Sequence, residues 1–170
     1  MGSFENRQQF TKNVGFENFL AGEDLARIGA KKFAYLAYDD AYLPKMLEQQ
    51  LPQYQGQKLF LSLFSSNTHH PYYSDSKPCT LLPEQCYRQT AEKLDQTFAQ
   101  LQQVVNSHRK PQRTLWLVLG DHGEAFGEKG KIWHDAVPYE EVVNIPLLIK
   151  GVTIAPGQDH KLRSLIDIPL

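Results

Sequence analysis

No apolar run in this sequence approaches the roughly 18 to 20 residues that a bilayer-spanning helix needs. Cysteine is scarce as well: Cys79 and Cys86 are the two in 170 residues, too few for a disulfide scaffold. They stand close enough to bridge one loop, and a pair of free thiols fits the spacing as well. Charge of one sign is also missing. The 18 basic and 19 acidic residues leave a net charge of −1, so there is no reason to expect a nucleic-acid or anionic-membrane surface. The opening residues, MGSFENRQQF, have neither a basic n-region nor an apolar h-region, which argues against a signal peptide. Asn6 breaks the myristoylation pattern. Residues 1–14 are polar and read as a tag-like, flexible segment. Internal repeats and low-complexity tracts are absent. The remainder, residues 15–170, is enough chain for one domain with a core.

The apolar residues that are present fall in short blocks. Residues 15–20 form a patch that should pin the N-terminus to the core. Residues 39–51 predict a helix: Asp39 or Asp40 caps it, Pro44 fits the first turn, and Leu43, Met46, Leu47 and Leu51 form its stripe. Residues 58–64, KLFLSLF, are near-continuously apolar, which suits a strand covered on both faces. Residues 65–83 hold Asn, Thr, Ser and prolines and read as a loop. A long helix should follow over residues 83–107, where Ala91, Leu94, Phe98, Leu101 and Val104/Val105 recur at helical spacing, with Pro111 beyond its end. Residues 114–119 and 144–149 predict two further buried strands, the second preceded by a short helix begun at Tyr139-Glu140-Glu141.

Strand, long helix, strand is a βαβ unit, so the strands at 58–64 and 114–119 should be parallel. Ligands of such sheets bind outside the carboxyl ends of the strands. The first of these strands leads into Asn67-Thr68-His69-His70-Pro71-Tyr72-Tyr73 and the second into Gly120-Asp121-His122-Gly123-Glu124. Two polar clusters should therefore meet at one sheet edge. Asp121 and His122 offer a carboxylate and an imidazole, a mixture that divalent Zn²⁺ or Mn²⁺ accepts, and flanking glycines let the backbone turn both side chains toward one point. The same two residues could equally serve as a cap and a loop hydrogen bond. His69 and His70 follow the end of a strand, and one of the two is a candidate for catalysis or substrate binding. His134 lies in a loop rich in Gly and Lys.

The run from Asp121 to Gly130, then His134, Tyr139-Glu140-Glu141 and Ile145-Pro146-Leu147-Leu148-Ile149, resembles the C-terminal half of the sulfatase family. So do residues 154–157, IAPG, and 164–169, SLIDIP, while His69-His70-Pro71-Tyr72 is similar to the family's His-x-Pro-Tyr loop. The family lies in the alkaline phosphatase-like superfamily, beside phosphoethanolamine transferases and lipoteichoic acid synthases. The resemblance implies an α/β fold, the C-terminal portion of an alkaline phosphatase-like αβα sandwich with a mostly parallel sheet. It implies Asp121 and His122 as metal ligands for Zn²⁺ or Mn²⁺, alternatively Ca²⁺. It implies His69 and His134 as catalytic and substrate-binding groups. The substrate would be a small-molecule, lipid or glycan ester of sulfate or phosphate, handled by a parent that is periplasmic, extracellular or membrane-anchored. The family's nucleophile motif, Cys/Ser-x-Pro-x-Arg, is missing, as is an early strand ending in acids. The expectation is therefore a partial catalytic domain, truncated at both ends and without turnover of its own. The alternative is a non-catalytic module of the same fold that binds a metal or a partner.

Overall fold

A computed structural model describes residues 6–32, 38–74, 77–134 and 138–168. The chain divides into two compact units, Met1–His108 and Arg109–Leu170.

The first unit is helical. It runs through α1 (Arg7–Asn13), α2 (Gly22–Arg27), α3 (Leu43–Gln50) and α4 (Pro83–His108), with a small antiparallel hairpin of β1 (Tyr73–Ser74) and β2 (Lys77–Pro78) between the last two. The polar segment at the start thus contains α1, which Gly15 follows at φ +101°, a conformation open to glycine at little cost. The Asp39 carboxylate accepts the Ala41 amide and starts a 3₁₀ turn, Asp40–Tyr42, that feeds α3. Pro44 sits in the first turn of α3, where no intrahelical donor is lost. Met46, Leu47 and Leu51 are buried, as are Leu101 and Val105 of α4, which packs against α3. His108 Nε2 lies 3.0 Å from Glu48 Oε1 and ties the end of α4 to α3. Phe16 meets Phe60 at 5.6 Å between ring centroids, but Phe60 is 59% exposed and no residue of the patch at 15–20 is buried, so the patch touches a neighbouring segment and not the core. Cys79 and Cys86 form a disulfide that fastens the segment after β2 to the first turn of α4.

One expected strand is missing from this unit. Residues 58–64 belong to no ladder, and Leu59, Phe60, Leu61, Leu63 and Phe64 are 39–75% exposed. A strand buried on both faces needs neighbours at its edges and layers above and below it. None of the described residues pairs with this run.

The second unit holds β3 (Trp116–Leu119), β4 (Ala125–Phe126), β5 (Ile132–Trp133), α5 (Glu140–Val143) and β6 (Leu147–Lys150). β3 pairs with β6 antiparallel, from Trp116↔Lys150 to Leu119↔Leu147, and β4 pairs with β5 antiparallel. These observations correct the mostly parallel sheet. Among the described residues each sheet has two strands and each pair is antiparallel. The parallel expectation required 58–64 as the strand before the α4 crossover, and without that strand the βαβ unit does not close. The chain is mixed α/β, and no described helix is long and apolar enough to cross a membrane.

Candidate functional site

The His69 loop of the first unit grows from a buried carboxylate. Asp40 is 2% exposed. Its Oδ2 accepts the amides of Ser66 and Asn67, each at 2.8 Å, and its Oδ1 accepts the Ser66 hydroxyl at 3.2 Å. The Ser66 carbonyl in turn accepts the His69 amide at 3.1 Å, and the His69 carbonyl accepts the Tyr72 amide at 2.9 Å. Burial pushes the Asp40 carboxyl up to about 6, against the lowering effect of the amides of Asn67 and Ser66 and the Ser66 hydroxyl, while nearby Asp39 raises it further. Tyr72, at φ +59°, is buried edge-on between His70 and Tyr87, at 5.6 and 6.1 Å between centroids. A bulky residue holds a left-handed conformation only where its surroundings fix it. His69 itself is exposed, and its Nδ1 lies 2.7 Å from the His70 carbonyl. That bond puts the proton on Nδ1 and the lone pair on Nε2.

In the second unit β3 ends at Leu119 and runs into Asp121 and His122. Gly123 is required there by close approach: a Cβ at this position would meet the Glu141 carbonyl oxygen at 2.1 Å. Its amide donates to the Val142 carbonyl at 2.6 Å, so the turn leans directly on the backbone of α5. The His122 amide donates to Asp121 Oδ1 at 3.1 Å. His122 Nδ1 donates to the Gly123 carbonyl at 2.8 Å, which leaves the lone pair on Nε2, 3.9 Å from Asp121 Oδ2. His134 enters from just beyond β5 and stacks on His122, with centroids 4.1 Å apart and planes tilted by 35°. Its Nδ1 lies 3.1 Å from Oε1 of Glu124, a nearly buried carboxylate. The Glu141 carboxyl is held below the usual range first by its own backbone amide and then by Lys129, 3.2 Å away.

The structure therefore brings Asp121, His122 and His134 together, and it places His69 in the other unit. Two residues escape a reading of the sequence. Glu124 is part of the expected motif, yet its pairing with His134 depends on the β4–β5 hairpin. Asp40 reads as a cap, although only one of two adjacent aspartates can cap, and that surplus is the one available hint. As a donor set, Asp121 and His122 Nε2 suit a divalent ion, with oxygen and nitrogen ligands in one turn. Among the described residues no group of three or more His, Cys, Asp and Glu side chains is placed to hold a metal. The pair is thus two donors of a set that needs more.

A family model described as Sulfatase matches residues 1–169. The chain belongs to the sulfatase family. The choline-sulfatase of Rhizobium meliloti (strain 1021) is 33% identical over 75 residues, which is 44% of this chain and 14% of that protein. The chain thus spans a small share of the length of the curated relative it matches. No solved structure matches it. Membership of the sulfatase family goes with ester substrates and, typically, with metal dependence.

Proposed function

We propose that this chain carries part of the active site of a divalent-metal-dependent enzyme that hydrolyses or transfers a sulfate or phosphate ester. The observation that supports this most is the turn after β3, where Asp121 stands beside a His122 whose tautomer is fixed with its lone pair on Nε2. Asp121 and His122 are the metal ligands. A divalent ion bound there would stabilise the anionic nucleophile and polarise the ester. His134, stacked on His122 and held by Glu124, is a substrate-binding group. His69 meets the transferred group and hydrogen-bonds its oxygens or moves a proton at Nε2. The whole catalytic domain adopts an alkaline phosphatase-like sandwich. Residues 15–170 are part of that domain. No residue of this chain is assigned as nucleophile, because Cys/Ser-x-Pro-x-Arg is absent from it. The disulfide supports work in an oxidising compartment.

The test is metal content together with ester hydrolysis. The 170-residue chain should bind Zn²⁺ or Mn²⁺ weakly, should lose that binding in Asp121→Asn, and should not turn over an aryl sulfate or aryl phosphate. In the longer protein Asp121→Asn should abolish activity, and His69→Ala should lower the rate far more than the metal content. Full activity and full metal content in the Asp121→Asn protein would refute the metal site. Metal binding without any ester turnover in the longer protein would leave the non-catalytic module.

A further inference from the structure

We propose that Asp40 is the positioning residue of the His69 loop: its carboxylate gathers the amides of Ser66 and Asn67 and thereby sets where His69 stands. The proposal rests on the reading of His69 as the group that meets the ester, but its test does not.

The 3₁₀ turn before α3 needs one capping carboxylate, and Asp39 provides it by accepting the Ala41 amide. Asp40 is left over for a partner 26 and 27 residues away. Burying a carboxylate is costly, and burial is the largest influence on this one. A cap alone would sit at the surface and avoid that cost. What the buried position adds is a fixed acceptor for two consecutive loop amides, with the Ser66 hydroxyl closing the other oxygen. The bonds continue in register from Ser66 to His69 and from His69 to Tyr72. Tyr72 is buried, and its carbonyl accepts the Cys79 amide at 3.2 Å. The loop is thus gripped at both ends, by Asp40 at its start and by the buried tyrosine at its finish. His69 and His70 are the exposed residues between the two grips. Loops that carry functional side chains are positioned by a rigid scaffold in this way.

The experiment compares Asp40→Leu, which keeps the size and removes both acceptors, with Asp40→Asn, which keeps one carbonyl oxygen for the two amides and an NH₂ for the Ser66 hydroxyl. Amide hydrogen exchange is read residue by residue in the 170-residue chain. The leucine variant should speed exchange at Ser66, Asn67 and His69 at least about tenfold, with Leu101 and Val105 of α4 changed less than about twofold. The asparagine variant should restore protection to within about threefold of the original. An unchanged loop in Asp40→Leu, or an acceleration equal in loop and α4, overturns the proposal. Should the leucine variant not fold, the unmodified chain decides. The Ser66 and Asn67 amide signals must then shift together as the Asp40 carboxyl itself titrates, followed separately from that of Asp39, and amides indifferent to Asp40 overturn the proposal. In the longer enzyme Asp40→Leu should lower kcat without loss of bound metal. A failed ester reading would leave the exchange pattern standing, so the two failures are distinguishable.

Discussion

The two units of this chain hold their candidate site residues in different ways. In the first, α3 and α4 bury Met46, Leu47, Leu51, Leu101 and Val105, and a buried aspartate accepts the amides at the start of the His69 loop. In the second, Ala125 is the one buried apolar residue among those described. Leu117, Val118, Leu119, Leu147, Leu148 and Ile149 of the β3–β6 pair are all 36–53% exposed. Side chains alternate between the faces of a strand, so uniform half-exposure means that neither face is covered. The Asp121–His122 turn relies instead on short-range constraints: a glycine against the backbone of α5, one imidazole stacked on another, and a carboxylate behind His134. A site can evidently be specified locally where its supporting core is thin.

The largest effect should come from the first unit. Leu47 is 3% exposed, and Leu47→Ala should cost about 2–5 kcal/mol, read as a shift in urea midpoint with the slope unchanged. A loss below about 1 kcal/mol would mean that the α3–α4 core is not close-packed and would erase the contrast between the units.

Next comes the buried carboxylate. Asp40 titrates near 6 in the fold, against an ordinary value of 3.8. Its folded form therefore keeps a proton that the unfolded chain has released between those values. The associated stability is fully present below 3.8 and is lost as pH rises through about 6. Two units of pH correspond to about 3 kcal/mol. Asp40→Asn carries no such dependence. The stability of the original chain relative to that variant should fall by about 2 kcal/mol between pH 4, where part of the change has already occurred, and pH 7, measured by denaturant titration at both values. A difference that stays flat would place Asp40 in solvent.

A smaller loss, about 1–3 kcal/mol, is expected from Gly123→Ala, since its methyl group must displace the Glu141 backbone. The Val142 carbonyl should lose its partner, and the His122 and His134 ring signals should separate in the NMR spectrum. Unchanged ring signals would show that α5 does not brace the turn.

How much of this is legible in the sequence depends on the range of the interaction. α4 is legible because its 26 residues repeat a helical spacing, and α3 because an acidic cap and an early proline mark its start. The Asp121–His122 turn is legible from the glycines on either side. The run at 58–64 misleads, because continuous apolarity says that a segment can be buried but not what buries it. Antiparallel pairing of β3 with β6 is likewise invisible, since both runs are apolar on both faces and carry no alternation to fix direction or register. Asp40 and Glu124 find their partners through tertiary folding, so residue type alone reveals neither.

The smallest effect sharpens the comparison most. Leu148 pairs with Val118 in the β3–β6 ladder and is 53% exposed. Fully burying a leucine side chain is worth about 1.5–3 kcal/mol, and about half of that surface still faces water here. Leu148→Ala should therefore cost less than about 1 kcal/mol. Leu148→Lys should cost little more, because the ammonium can reach solvent while its stem stays on the sheet. Both variants are compared with Leu47→Ala in the same denaturant experiment. If Leu148→Ala costs as much as Leu47→Ala, the β3–β6 face is covered in solution. If Leu148→Ala is mild and Leu148→Lys severe, one edge of that residue is buried more tightly than its average exposure shows. Mild losses in both would establish that the second unit holds its Asp–His turn without help from its own apolar sheet.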